Sequence, residues 1–230
     1  MARITSAANP RLKLVRKLRE RRWREKLGLF VVEGEDLVQA GLEAGLEPEE
    51  LLVAGDNVSA DVLASVSGLP HPARQIAVFR RQDLPRLDAA PAAGLALWRV
   101  GDPGNVGTIL RTADALGPGF VALSERCADP TSPKALRASM GAVFRVPLAR
   151  FEEAPGRRIA LVAHGGAPLD ELELDGPVTF VLGAEREGLP ESIVAACDAR
   201  ASIPLEPGAE SLNVGVAAAL ALYERRRRHR

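Results

Sequence analysis

Four near-continuous apolar runs, LALWRV (95–100), GFVAL (119–123), RIALVAH (158–164) and VTFVLG (178–183), are separated by segments of helix length. A strand with one wet face alternates apolar and polar residues, so uninterrupted runs need cover on both faces. Helices lying between consecutive strands supply that cover. The pattern therefore predicts an α/β domain on a mostly parallel sheet. Ligands of such sheets sit outside the carboxyl ends of the strands. The loops that follow these runs are accordingly where functional residues are sought.

The upstream third is built differently. NPRLKLVRKLRERRWREK (9–26) reads as one helix with the apolar stripe Leu14, Val15 and Leu18. LGLFVVEG (27–34) reads as a short buried strand and EDLVQAGLEAG (35–45) as a helix ended by Gly45. LLVAG (51–55), a helical piece around ADVLASV (60–66) and IAVF (76–79) complete a small alternating α/β unit. The stretch LPRLDAAPAAG (84–94) has no clear period. The expected organisation is one domain over 1–84, a linker over 85–93 and a second domain over 94–230.

Lys+Arg and Asp+Glu are balanced at 30 each, so net charge indicates no partner, but the distribution is uneven. Residues 1–26 hold ten basic side chains against two acidic ones, and the chain ends ERRRRHR. One such run is a solvated helix face or frayed tail; two on a neutral chain favour a polyanion partner. Cys127 and Cys197 have no paired spacing, and the three histidines are scattered, so neither a disulfide framework nor a zinc site is expected. The start lacks an apolar leader, and the longest apolar run, VGVAAALALY (214–223), is too short to cross a bilayer. A cytoplasmic protein without a membrane partner is expected.

Three polar, glycine-bearing loops each follow a strand: GDPGN (101–105), GAEREG (183–188) and EPGAESLN (206–213). Each also has a purely structural reading. Asp102-Pro103 suits a helix N-cap and N1, Ser211 suits the N-cap of the last helix, and Gly183 and Gly188 suit a turn. On the helix after Gly104, one face carries Gly104, Thr108, Arg111 and Ala115, and a core stripe carries Val106, Leu110, Ala113 and Gly117. The first face is small except for its arginine. Arg111 is either a surface residue in an ion pair or a side chain reaching back toward the glycine turn. The last helix is apolar nearly all round, so it is buried in its own domain or against a symmetric partner.

At these residues the sequence resembles the SpoU class of RNA ribose 2′-O-methyltransferases, within the SPOUT superfamily. The first motif matches Asn105, Gly107 and Arg111-Thr112-Ala113; the second matches Gly183, Glu185, Gly188 and Leu189. The third matches Ile203-Pro204, Ser211-Leu212-Asn213-Val214 and Ala217-Ala218, and LRASMGAVFRVP (136–147) resembles the segment between motifs. Ala184 and Arg186 depart from the commoner residues at their positions. Backbone contacts there survive both changes, and Arg186 becomes an added candidate for RNA contact. The N-terminal region resembles a ribosomal-protein-like RNA-binding module.

The resemblance implies a trefoil-knotted methyltransferase domain that binds S-adenosylmethionine, uses no metal and forms a homodimer. It implies catalytic roles for Asn105, Arg111, Glu185, Ser211 and Asn213. Cofactor contacts would come from Leu182, Gly183, Ala184 and Gly188 in one loop, and from Ile203, Pro204, Leu205, Ser211, Leu212 and Asn213 in another. RNA, ribosomal in preference to transfer RNA, would be held by Arg11, Lys13, Arg16, Arg22, Lys134 and Arg137. The reaction would be in-line attack of a 2′-hydroxyl on a sulfonium methyl, which requires the hydroxyl proton to be removed. The class assigns that proton to the arginine. A guanidinium keeps its own protons near neutral pH, so deep burial or a phosphate relay would be needed. Stabilising a developing alkoxide or fixing a phosphate is equally consistent with Arg111.

Overall fold

The computed structural model describes residues 3–117 and 119–229. Its N-terminal unit begins with α1 (Pro10–Lys17) and α2 (Arg21–Leu27), where the sequence predicts a single helix. The break has a use. It leaves the carbonyls of Leu18 and Arg19 unpaired, and the buried Arg24 guanidinium donates to both, at 2.9 and 2.7 Å. The buried stripe is Leu12, Val15 and Leu18; Leu14, expected in it, is only half-buried.

Next come β1 (Leu29–Glu33), α3 (Glu35–Glu43), β2 (Glu50–Val53), α4 (Ala60–Ala64) and β3 (Gln75–Arg80). The strands form an antiparallel sheet in the order β1-β3-β2. The period of two divides its side chains. Val31, Leu52, Ile76 and Val78 pack with α1 in one cluster, whereas Phe30, Val32, Ala77 and Phe79 join the main core. There Phe79 meets Phe144 edge-on at 5.8 Å between ring centroids, and Phe30 lies 6.3 Å from Phe144. Apolar packing is thus continuous from the small sheet into the rest of the chain.

The remaining strands are β4 (Ala93–Leu97), β5 (Val121–Leu123), β6 (Leu148–Arg150), β7 (Arg157–Leu161), β8 (Ala167–Pro168), β9 (Val178–Leu182) and β10 (Ala199–Ser202). They form one seven-stranded sheet, in the order β6-β5-β4-β9-β7-β10-β8, with parallel pairing throughout. Both faces are covered, as the apolar runs require. Leu95, Leu97, Phe180 and Leu182 face α5 (Pro103–Leu116), α6 (Pro133–Ser139) and α8 (Val214–Arg228). Ala96, Ala122 and Val181 face Phe120, Phe151 and α7 (Glu191–Ala195).

Asp102 caps α5 by accepting from the N–H groups of Gly104 and Asn105, with Pro103 in the first turn. The α5 core stripe is Val106, Gly107, Ile109, Leu110 and Ala113; Gly117 falls past the helix end, so its expected place in the stripe is not taken. Gly107 lets α6 approach. A Cβ there would lie 2.6 Å from Ala138 Cβ and collide with the Ala135 carbonyl. Overpacking against backbone costs about 1–3 kcal/mol or more. Gly107→Ala should therefore lower the thermal midpoint by several degrees, read by calorimetry or circular dichroism.

Arg225–Arg228 of the C-terminal basic run are each engaged by hydrogen bonds or ion pairs. Arg225 donates to Gly176 O and Arg226 to Ala115 O, both at 3.0 Å. Arg228 donates to Leu172 O and Leu169 O, and Arg227 and Arg228 both pair with Glu224. These contacts clasp α8 to the body. Val214, Ala218, Ala221 and Leu222 of α8 are buried, but Val216, Leu220 and Tyr223 stay exposed. Among the described residues no helix is long and apolar enough to cross a membrane.

Candidate active site

The three loops meet at the carboxyl ends of β4, β9 and β10, and hydrogen bonds join them. Asn105 Nδ2 donates to Glu185 Oε1 at 2.9 Å, and Asn213 Nδ2 donates to Asn105 Oδ1 at 3.1 Å. The N–H groups of Gly101 and Asp102 also donate to the Glu185 carboxylate, at 3.3 and 3.2 Å. One residue from each motif therefore forms the chain Glu185–Asn105–Asn213. Burial acts to raise the Glu185 pKa, but the Asn105 side chain and the surrounding backbone N–H groups outweigh it and hold the carboxyl below its ordinary 4.5. Glu185 is an acceptor that arranges backbone, poorly suited to removing a proton.

Local geometry explains each position. In GAEREG, Gly188 has φ 66° and its N–H donates to Ala184 O at 2.9 Å. A side chain at Gly183 would strike Gly188 and Leu189 backbone. The tight turn predicted on structural grounds is what aims Glu185 at Asn105. In the third loop Asn213, not Ser211, is the N-cap of α8, accepting from the N–H groups of Gly215 (2.9 Å) and Val216 (3.3 Å). Its Oδ1 is spent on the helix, which turns Nδ2 toward Asn105.

Beside this chain lies a cavity of about 660 Å³, lined by Leu182, Gly183, Ala184, Glu185, Gly188, Ile203, Leu205, Ser211, Leu212 and Asn213. Pro204 is not among the lining residues, although its neighbours are. The volume is in the range of small-molecule sites. Leu161, Val162 and Ala163 line it too, and the sequence reading assigned them only to a strand. The signal was there, because they end the apolar run RIALVAH at a strand carboxyl end. Arg186 and Glu187 of the second loop line it as well, and Glu210, Val214 and Ala217 complete the wall near α8.

Arg111 is exposed and does not line the cavity. The surface ion pair that was its structural alternative is not found among the described residues. It shares its α5 face with Thr108, which meets Gly215 of α8, and Ala115, whose carbonyl takes Arg226. Of the residues assigned to RNA, Lys13, Arg16, Arg22, Lys134 and Arg137 are exposed and Arg11 is half-buried; Arg11 pairs with Glu50, Arg22 with Glu20 at 2.7 Å and Lys134 with Asp102 at 2.9 Å.

Residues 93–223 match the SpoU rRNA Methylase family, and residues 9–78 match the MRM3-like substrate binding domain. The chain belongs to the SpoU family of RNA methyltransferases. It is 32% identical to the 23S rRNA (guanosine(2553)-2′-O)-methyltransferase RlmP of Bacillus subtilis, over 98% of this chain and 100% of that one. An uncharacterized tRNA/rRNA methyltransferase of Synechocystis is also 32% identical, over 99% of this chain and 94% of the relative. Among solved structures, the AdoMet-bound rRNA methyltransferase of Sinorhizobium meliloti superposes with a TM-score of 0.86 at 29% identity, covering 98% of this chain and 97% of that one. AviRb of Streptomyces viridochromogenes, in complex with AdoMet, superposes with a TM-score of 0.85 at 27% identity, covering 96% and 98%.

Proposed function

We propose that this protein transfers a methyl group from S-adenosylmethionine to a ribose 2′-hydroxyl of ribosomal RNA. The hydrogen-bonded chain Glu185–Asn105–Asn213 beside a cavity of cofactor size is the observation that carries the reading. The cavity fits the cofactor chemically. Leu161, Leu182, Ile203, Leu205 and Leu212 offer apolar walls for an adenine, and the strand-end backbone offers donors and acceptors for its edge. When bound, the cofactor supplies an electrophilic methyl on a sulfonium, with no metal needed.

The protein's part is placement. Asn105, fixed from both sides, orients groups at the junction of the loops, and Ser211 and Leu212 close the third loop over the cavity. Arg111 stabilises charge developing on the ribose oxygen or holds the neighbouring phosphate; its exposure disfavours a base made by burial. Phosphates would meet Lys13, Arg16, Arg22 and Arg137, with residues 1–84 as the RNA-binding unit and 85–93 as its linker to the catalytic domain over 94–230. The exposed stripe Val216, Leu220 and Tyr223 supports a homodimer through α8, which would also cover Arg111. What supports a trefoil knot is the insertion of β9 between β4 and β7, and the tight passage of residues 201–202 against Gly166. Transfer RNA is the alternative substrate.

Comparing ribose methylation across total RNA from cells with and without the gene tests the substrate. One ribosomal ribose should lose its methyl group; a change confined to transfer RNA, or none, would overturn this assignment. The site also predicts a pH effect. A carboxyl held below its ordinary value stabilises the loops above that value and ceases to do so as pH falls through its folded pKa. Cofactor binding followed by calorimetry should thus be level from neutral pH to the ordinary carboxylate range and weaken below it. Glu185→Gln should flatten that acid limb.

A further inference from the structure

The carboxyl edge of the parallel sheet carries charge that extends from the cavity, which Arg186 helps to line, to the neighbouring strands. β9, β4 and β5 lie side by side, with Leu97 in register with both Leu182 and Leu123. The segments that leave these strands carry Arg186, Arg99 and Arg126 in that spatial order. All three are exposed. Among the described residues none of their guanidinium groups has a carboxylate within salt-bridge distance, although Glu125 and Glu187 adjoin them in sequence. Other arginines of this chain are engaged: Arg24 by Asp129, Arg145 by Asp114, Arg228 by Glu224.

Arg99 is the most informative of the three. Its φ is 54°, one of two non-glycine residues in the left-handed region among those described. Such a backbone is costly for a residue with a Cβ and is found where the surroundings enforce it. Here the Arg99 N–H donates to Ser124 Oγ at 2.9 Å, and two residues later the chain presents the N–H groups that hold Glu185. A glycine would meet that backbone requirement without strain, but it would carry no charge. The Arg99 guanidinium lies over the Trp98 ring at 5.1 Å, and Trp98 is braced edge-on against Phe151 at 5.2 Å. The cation is thus held ready, with its ordering cost met before any ligand arrives.

We propose that Arg186, Arg99 and Arg126 form a phosphate track for the RNA strand that enters the site, an inference that rests on the RNA methyltransferase reading. Neighbouring strands are about 4.8 Å apart, so the three loops span about 10 Å. At about 3.4 Å per stacked nucleotide, that is a run of about three nucleotides. The track runs away from the cavity loop of β9 toward β6, where the groove lined by Arg81 and Arg86 borders the small N-terminal unit. It joins the cavity to the unit that resembles an RNA-binding module, and a single strand contacting both would lie along it.

Arg99→Gly separates the track from a structural role, because glycine accepts the left-handed backbone. Its thermal midpoint should hold or rise, and S-adenosylmethionine binding by calorimetry should not change. Its affinity for a short fluorescein-labelled single-stranded RNA should fall, with the slope of log affinity against log salt shallower by about 0.7. Combining it with Arg126→Ala and Arg186→Ala should make the slope shallower by about 2 and weaken binding about tenfold or more at low salt. An unchanged slope in the triple variant, with the wild type binding the same RNA, overturns the track. So does a loss of RNA affinity in Arg99→Gly that merely accompanies lost cofactor binding and a lower midpoint. The salt titration needs no turnover, so it is independent of the wild-type methyl-transfer assay, whose failure would instead remove the reading beneath.

Discussion

Arg111→Ala is expected to bind S-adenosylmethionine as the wild type does and to transfer methyl groups at least about 10²–10³-fold more slowly, the usual cost of removing a group that stabilises transition-state charge. The separation follows from geometry. Arg111 does not line the cavity, so ground-state cofactor contacts are untouched by its loss. It is exposed and makes no hydrogen bond or ion pair among the described residues, so stability should move by no more than about 0.5 kcal/mol. Single-turnover transfer to RNA, measured beside calorimetric cofactor binding, checks both halves. Normal turnover in the variant would return Arg111 to the surface role that its helix position also allows. Arg111→Lys should recover little if a planar, bidentate hold on phosphate is required, and more if only charge matters.

Asp129→Ala is expected to cost about 3–5 kcal/mol, because it strands a buried arginine. Arg24 and Asp129 pair at 2.7 Å with both side chains 3% exposed, and Arg81 approaches the same carboxylate at 3.4 Å. Thr131 donates to it through N–H and hydroxyl, at 2.9 and 2.7 Å. This cluster ties the break between α1 and α2 to the loop after β5. Burial acts to raise the Asp129 pKa, but Arg81, Thr131 and Arg24 outweigh it and keep the carboxyl below its ordinary 3.8. The pair's stabilisation is therefore full above that value and disappears as pH falls through the lowered one. Denaturant unfolding of Asp129→Ala should show the loss at neutral pH and little difference from wild type in strong acid. An apolar replacement of both partners, Arg24→Met with Asp129→Leu, should recover most of it.

Local chemistry in the sequence reached as far as its partners were near. The apolar runs mark β4, β5, β7 and β9 because burial on two faces leaves no polar position to interrupt them. β6 and β8 are the two edge strands of the sheet, and their partly exposed residues make no such run. The Asp102-Pro103 cap was legible because both residues act within one turn. Ser211 and Asn213 are equally good capping types, and what selects Asn213 is its second bond, to a residue 108 positions away. The break after Leu18 is likewise set by Asp129, 105 positions from Arg24. The last four arginines of α8 read as a free basic tail because Arg225, Arg226 and Arg228 are held by backbone carbonyls, which no side-chain pattern reveals. In the site, the family motifs named the residues that the loops bring together, while Leu161–Ala163 were hidden inside a strand run.

The central claim is that these three loops methylate a ribose. Purified protein should be incubated with methyl-labelled S-adenosylmethionine and large-subunit ribosomal RNA from cells lacking the gene, and the RNA then digested to nucleosides. Label in a single 2′-O-methylnucleoside, absent with Arg111→Ala, is the predicted result. Label on a base, or no transfer to this RNA by protein that binds the cofactor, would contradict it.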